Sequence, residues 1–408
     1  MTGPQEGPLT GMRVVECAAF VAVPSAGMTL AQMGADVIRV DRPTGGLDAK
    51  RWPVTDRGES LFWAGMNKAK RSLAVDLTHP EGQEIVAALI TAPGPDAGLF
   101  LTNLRGPPWM DWPALSARRA DLVMVSLTGT RRGEPAVDYT VNPTLGFPFA
   151  TGPEGMTDPV GHMLPAWDLV AGQMVAGTLL AAERHRLKTG QGQLAELSLK
   201  DVGAAMMANL GLLAEVAVNG VDRPRYGNSL YGAYGQDFTC ACGGRLMVVG
   251  LTDRQWRGLV KVTGTEAAIT DLARQTGLDL TREGDRWHAR TGITAILTPW
   301  FAARNRAEVA ALFDTAGLTW GPFRSFAEAV RDDPDLSPDN PMFALVDQPG
   351  IGTYAMPGHP AAFAATGRLP PSPAPRLGQH SEAVLADVLG MASGQIAALI
   401  DRGIVAVG

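Results

Sequence analysis

Cysteine is scarce in this chain, with Cys17, Cys240 and Cys242 its only thiols. Three cannot build a disulfide framework, and a Cys-x-Cys pair with one distant companion makes a poor zinc site, so all three read as structural residues. Ligand spacing is missing among the histidines too. His79, His162, His185, His288, His359 and His380 are scattered, with no H-E-x-x-H, so no metal is expected. The G-x-S-x-G turn of serine hydrolases is absent. No uninterrupted apolar run approaches membrane-spanning length, and MTGPQEGPLTGMR lacks the basic start and apolar core of a secretory signal. The chain is therefore expected in the cytoplasm, away from membranes. Basic charge is not in excess either. A formal net charge of -6 argues against a nucleic-acid surface but leaves room for a small anionic ligand.

What the chain has is apolar residues, 46% of the total, in runs that alternate between strand and helix periodicity. Its 408 residues exceed one ordinary core and suit two or three domains. MRVVECAAF reads as a strand, PSAGMTLAQMG as a helix and ADVIRVDRP as a second strand, a right-handed βαβ unit. RSLAVDL, AGLFLTN and DLVMVSLTG continue as strands, with PEGQEIVAALI, begun by proline, and PALSARRA as helices. The pattern predicts an α/β fold with a Rossmann-like doubly wound parallel sheet. Ligands should collect at the strands' carboxyl ends, where Arg42, Asn103 and Gly129 fall. A long helix then runs to about Leu187, where the glycines of KTGQGQ end it, and LAELSLKDVGAAMMANLGLLAEVAV offers a strand and another long helix. The first part of the large domain is accordingly read as residues 1–205. From Tyr226, YGNSLYGAYGQDFTCACGGRLMVVGL reads as antiparallel strands joined by Gly-Gly, with helical patterns to about Val330, a smaller α+β domain over 226–330. The Pro-, Gly- and Asp-rich stretch RDDPDLSPDNPMFALVDQPGIGTYAMPGHP reads as loop and linker. Residues 331–408 are expected to return the chain to the large domain.

The first βα turn runs from Val21 through Ala22 to Gly27 without G-x-G-x-x-G, so the dinucleotide fingerprint is absent. Asp41, ending the second strand, suits either a ribose hydroxyl or a turn. Arg39, Arg42, Arg51, Lys68, Lys70 and Arg71 form a loose basic cluster that fits phosphates or, equally, a solvated face. The most informative residue is Asp168, in LPAWDLVAGQMVAGTLLAAERHR. A carboxylate at the mouth of a long apolar helix either caps the free backbone N–H groups or attacks a substrate, and the helix dipole would keep it ionised in both roles.

MTLAQMGADVIRVDRP, NKAKRSLAVDLTHPEG, LPAWDLVAGQMVAGTLLAAERHRLKTGQGQ and PAPRLGQHSEAVL together resemble the class III CoA transferase and α-methylacyl-CoA racemase family over nearly the whole chain. The resemblance implies a large domain made from both chain ends, a small domain, and a homodimer whose subunits interlink as rings. It implies no permanently bound cofactor, with CoA arriving as part of an acyl-CoA substrate. Matched residue by residue, Asp168 falls on the family's nucleophile, and Val21, Ala22, Arg42, Val75 and Asn103 fall on CoA-contacting positions. Racemases carry a His-Asp pair where this chain has Val137 and Asp138, so their proton-shuttling histidine is missing. GNSLYGAYGQDF stands in place of the glycine-rich loop of formyl-CoA transferases. VDYTVNPTLGFPFATGP, AWDLVAGQM and DNPMFALVDQPGIGTYAMP look most like members that move CoA between the two carboxyl groups of one dicarboxylate, mesaconate. The alternatives are an intermolecular CoA transferase, an acyl-CoA racemase and a non-catalytic CoA-binding protein. Arg51, Tyr139 and Asn228 are candidates to hold the distal carboxylate. Tyr226 to Tyr234 is a candidate wall.

Overall fold

The computed structural model describes residues 6–408. In chain order come β1 (Arg13–Cys17), α1 (Ala22–Gln32), β2 (Asp36–Asp41), α2 (Leu61–Met66), β3 (Arg71–Val75), α3 (Pro80–Ile90), β4 (Leu99–Thr102), α4 (Trp112–Arg118) and β5 (Val123–Thr128). Two short helices follow, α5 (Asp138–Thr144) and α6 (Phe147–Ala150), then the long α7 (Ala166–Thr189), β6 (Gln193–Ser198), α8 (Leu199–Asn209) and α9 (Leu212–Asn219). Later strands are β7 (Tyr234–Thr239), β8 (Arg245–Gly250), β9 (Thr319–Pro322), β10 (Phe343–Gln348), β11 (Gly352–Pro357) and β12 (Val405–Ala406).

The described residues form two compact units. One takes the chain up to Leu145, Met163–Leu213 and Asp333–Gly408, and the other takes Gly146–His162 and Ala214–Asp332. The first is built on a seven-stranded sheet in the order β12-β3-β2-β1-β4-β5-β6. It is parallel throughout except for β12, which pairs antiparallel with β3 through Val405 and Val75. Every residue of β4 is buried, as expected of a central parallel strand covered on both faces. Strand order reverses between β1 and β4, which pair directly. The loops leaving those two strands diverge, and a crevice opens at their carboxyl ends.

The second unit holds the antiparallel sheet β7-β8-β9. Its core is aromatic, with Tyr234, Phe238, Trp256, Phe301 and Phe313 all buried. The Gly-Gly connection of β7 and β8 is as the sequence suggests, whereas β9 is an addition with no turn signal near its partner. Two other features differ from expectation. The apparent linker contains a hairpin, β10 paired with β11, because Pro349-Gly350, with Gly350 at φ +79°, makes a tight connection between two alternating segments. The helix expected after β6 is broken in two at Gly211, whose φ of +79° a helix does not permit. Among the described residues, no single helix is long and apolar enough to cross a membrane.

Candidate active site

α7 begins at Ala166 after Pro165, which offers no side-chain cap. Asp168 is its third residue, inside the first turn, and does not cap it. The cap comes from Asp138 at the head of α5, whose Oδ2 accepts the backbone N–H of Trp167 at 2.7 Å and of Asp168 at 3.2 Å. Trp167 is further fixed by its indole N–H, donated to Asn142 Oδ1 at 3.1 Å. The capping reading of Asp168 is thereby corrected, since a second carboxylate 30 residues away in sequence satisfies the orphan donors. The far end of α7 is pinned as well. Buried Arg186 donates to the carbonyl of Ala97 at 2.6 Å and to Glu183 Oε1 at 2.8 Å.

Asp168 lines a cavity of about 670 Å3 at the carboxyl ends of β1, β4 and β5. Its walls are largely apolar, with Phe20, Trp52, Phe62, Val137, Met163 and Leu199. Burial raises the Asp168 carboxyl from 3.8 to about 6, the neighbouring Asp138 charge adds to the rise, and Arg51 opposes it. The helix dipole therefore does not set its ionisation as the sequence suggested. Desolvation dominates, and the group is still ionised in about nine molecules of ten at pH 7. A neighbouring cavity of about 570 Å3 shares Asn103, Leu127–Gly129, Ala136 and Val137 with the first and continues past Thr102, Arg105 and Met110.

The loop between β1 and α1 is held by groups that sequence reading put elsewhere. Arg39, fully buried on β2, donates to Asp41 Oδ2 at 2.9 Å, Asp48 Oδ1 at 2.9 Å, Asn67 Oδ1 at 2.9 Å and the Ala18 carbonyl at 3.1 Å. Lys70 donates to both oxygens of buried Glu16, at 3.0 and 2.9 Å. The three carboxylates hold the Arg39 guanidinium well above its ordinary range against the burial that would lower it. The basic cluster is thus largely internal. Arg39 and Lys70 are spent inside the fold, Lys68 is buried and gives its Nζ to the Gly65 carbonyl at 2.6 Å, and Arg71 pairs with Asp36 at 2.8 Å. Asp41 has both oxygens taken by Arg39, at 2.9 and 3.1 Å, so it is not placed for a ribose.

Asp48 also accepts the backbone N–H of Phe20 at 3.2 Å. Phe20 has φ +66°, a conformation that costs a bulky L-residue about 1–2 kcal/mol. The buried network sustains it, and the Phe20 ring is thereby turned toward Arg51. The Arg51 guanidinium lies 5.3 Å from the Phe20 ring centre and 5.2 Å from that of Phe62. The two rings steady the cation on the cavity wall without neutralising it.

Of the residues singled out from sequence, Val21, Ala22, Arg51, Asn103 and Tyr139 share the cavity with Asp168. The Asn103 amide is committed to Ala19, accepting from its N–H and donating to its carbonyl at 2.9 Å each. Its part is to shape the loop. The Tyr139 hydroxyl donates to the Met163 carbonyl at 3.3 Å. Arg42 is exposed just past β2, outside both cavity linings. Val75 is fully buried and paired with Val405, so its side chain offers nothing to a ligand. Asn228 lines a cavity of about 750 Å3 in the second unit, with Ser229, Gln236 and Arg290. Sequence reading missed Asp138 as a cap, Asp48 as a loop anchor and Arg105 as a cavity cation. Only for the buried network was a signal present, because Glu16 and Arg39 sit at paired positions of two otherwise apolar strands.

The family model for CoA-transferase family III matches residues 9–381. The chain is 57% identical to 2-methylfumaryl-CoA isomerase from Chloroflexus aurantiacus, over 98% of each sequence. It is 28% identical to succinate–glutarate CoA-transferase from Agrobacterium fabrum, over 93% of this chain and 96% of that one. Among solved structures it resembles a CAIB/BAIF family protein from Brucella suis, with a TM-score of 0.75 at 24% identity, covering 94% of this chain and all of the other. The fold is thus shared with a CAIB/BAIF family protein, and the chain belongs to CoA-transferase family III.

Proposed function

We propose that the protein moves CoA between the two carboxyl groups of 2-methylfumarate (mesaconate), acting as an isomerase, with Asp168 as the covalent nucleophile. The observation that carries this reading is the Asp168 carboxylate, largely ionised near neutral pH, lining a cavity at the switch point of the sheet. The 57% identity to 2-methylfumaryl-CoA isomerase supports the choice of substrate. Asp168 Oδ attacks the thioester carbonyl, the C–S bond breaks, and the electron pair leaves on the CoA thiolate, giving a mixed anhydride. The thiolate then attacks Asp168 Cγ and expels the dicarboxylate, leaving an enzyme thioester. After the free acid turns, its other carboxylate attacks Cγ and releases the thiolate. That thiolate takes the new acyl carbon and restores Asp168. No net proton is consumed.

The acid must stay while it turns. Retention matters because a held carboxylate attacks at high effective molarity. Arg51, with its charge unneutralised, is the group we assign to the distal carboxylate, with Tyr139 beside it. CoA contacts fall to the Val21–Ala22 loop, which Asn103 shapes, and to the neighbouring cavity at Arg105. The enzyme acts as a homodimer of interlinked subunits in the cytoplasm. Exposed Leu210 (68%) and Val218 (81%) are apolar side chains such an assembly would cover.

The deciding experiment incubates the protein with mesaconyl-CoA and labelled free mesaconate. An intramolecular enzyme keeps label out of the product thioester. Label at the level expected from full exchange would assign an intermolecular transferase, and solvent deuterium washed into the α-carbon of a saturated 2-methylacyl-CoA, offered in a parallel incubation, would assign a racemase. Asp168→Ala abolishes turnover while CoA binding persists.

A further inference from the structure

The mechanism uses one carboxylate, yet a second is built against it. Asp138 is 1% exposed. Its Oδ2 holds the helix start, including the nucleophile's own amide N–H, at 3.2 Å. Its Oδ1 is buried with no hydrogen-bond partner. A fully partnered cap would do the structural work at lower cost, because a buried acceptor without a donor is destabilising. The cost is placed beside the atom that must react.

We propose that Asp138 is a positioning residue for the CoA-transfer step: it aims Asp168 through the helix cap and, by its unshared negative charge, disfavours the free Asp168 carboxylate relative to the neutral acylated side chain. The inference rests on Asp168 being the nucleophile. When Asp168 Oδ takes the acyl carbon, its negative charge leaves on the thiolate sulfur. When the thiolate then takes Cγ, the charge leaves on the departing carboxylate. At both intermediates the side chain facing Asp138 is neutral, so the repulsion present in the resting enzyme is relieved.

The groups that face Asp168 are few. α5 contributes Asp138 and Tyr139, the loop after β2 contributes Arg51, and α8 brings Leu199 to the wall. The first residues of α1, Ala22 to Ser25, carry no ionisable side chain. Arg51 therefore opposes Asp138, and removing either one moves Asp168 in a predictable direction.

The test compares Asp138→Asn with Asp138→Ala. Asparagine keeps an oxygen that accepts from Trp167 and Asp168 but loses the charge. Its acid limb of kcat should move down by about half to one pH unit, and the fraction of enzyme trapped by hydroxylamine as Asp168 adduct during turnover should fall. Alanine loses the cap too, and kcat should drop by roughly 10- to 100-fold with KM within about twofold. A purely structural cap predicts an unmoved acid limb and unchanged adduct in Asp138→Asn, and that result overturns the proposal. Should Asp138→Ala fail to fold, the asparagine variant alone decides. To separate this from the substrate assignment, the Asp168 carboxylate band is titrated by infrared difference between the parent and Asp168→Asn, with and without Asp138→Asn and with no substrate present. A downward shift there supports Asp138's charge role even if mesaconyl-CoA proves to be the wrong substrate, and its absence refutes it.

Discussion

Replacing the nucleophile should make the protein more stable, and the gain should depend on pH in a specified direction. The Asp168 carboxyl is raised from 3.8 to about 6, first by burial and then by Asp138. That difference of just over two units corresponds to about 3 kcal/mol of penalty on the ionised form. Because Asp168 is partly exposed, screening reduces the figure to about 1–2 kcal/mol. The sign follows from linkage. A carboxyl whose folded value lies above its unfolded one destabilises the fold wherever it must be ionised, so the penalty is complete above about pH 6 and vanishes below about pH 4. Asp168→Asn has nearly the same shape and no charge. Scanning calorimetry at pH 8 should therefore show the variant melting about 1–2 °C above the parent, and at pH 4 the two should nearly coincide. An equal gain at both pH values, or a loss at pH 8, would refute the claim that the resting nucleophile carries buried like-charge strain.

Other outcomes follow from the same site. Arg51→Gln removes the cation that opposes the rise of Asp168, so the acid limb of kcat should move upward, opposite to Asp138→Asn, and KM for the acyl-CoA should rise about tenfold or more if Arg51 holds the distal carboxylate; an unmoved limb with unchanged KM sinks both roles. Asp48→Ala removes the acceptor of both Arg39 and the Phe20 amide, leaving a buried guanidinium under-paired, and should cost about 3–5 kcal/mol in urea unfolding. Acyl-CoA turnover should fall with it; a variant within about 0.5 kcal/mol of the parent would show that the network is not needed to hold the loop.

Where sequence reading succeeded, a local rule decided the matter. α3 occupies Pro80–Ile90, the segment read as a helix begun by proline, with His79 accepting the Glu81 N–H at 3.2 Å. The alternating apolar runs located β1 to β5, and the absence of a glycine fingerprint at the first turn fits a loop held by Asn103 and Asp48 side chains in place of glycine flexibility. What escaped reading was non-local. The Asp138 cap spans 30 residues, and nothing in VDYTVNPT marks it as the partner of AWDLV. The basic cluster looked external because linear sequence hides pairing. Only the adjacency of β1 and β2, which sets Glu16 opposite Arg39, turns those charges inward. The hairpin β10–β11 was concealed by composition, since Pro and Gly mark linkers and tight turns alike. Gly172 is legible only in three dimensions. A Cβ there would collide with Ser25 Oγ and the Ala22 carbonyl, so this glycine allows α7 to lie close against α1 and sets where Asp168 emerges.

The pairing of Val405 with Val75 has a consequence for biosynthesis. As the polypeptide emerges from the ribosome, β3 must wait for roughly 330 further residues before its outer neighbour exists. Through that interval the nascent sheet presents an unprotected backbone ladder, which invites pairing between neighbouring ribosomes' products. Expression yield should accordingly depend on translation speed and chaperone supply more than the final fold's stability would suggest. A version with Val405 and Ala406 deleted would carry that exposure permanently.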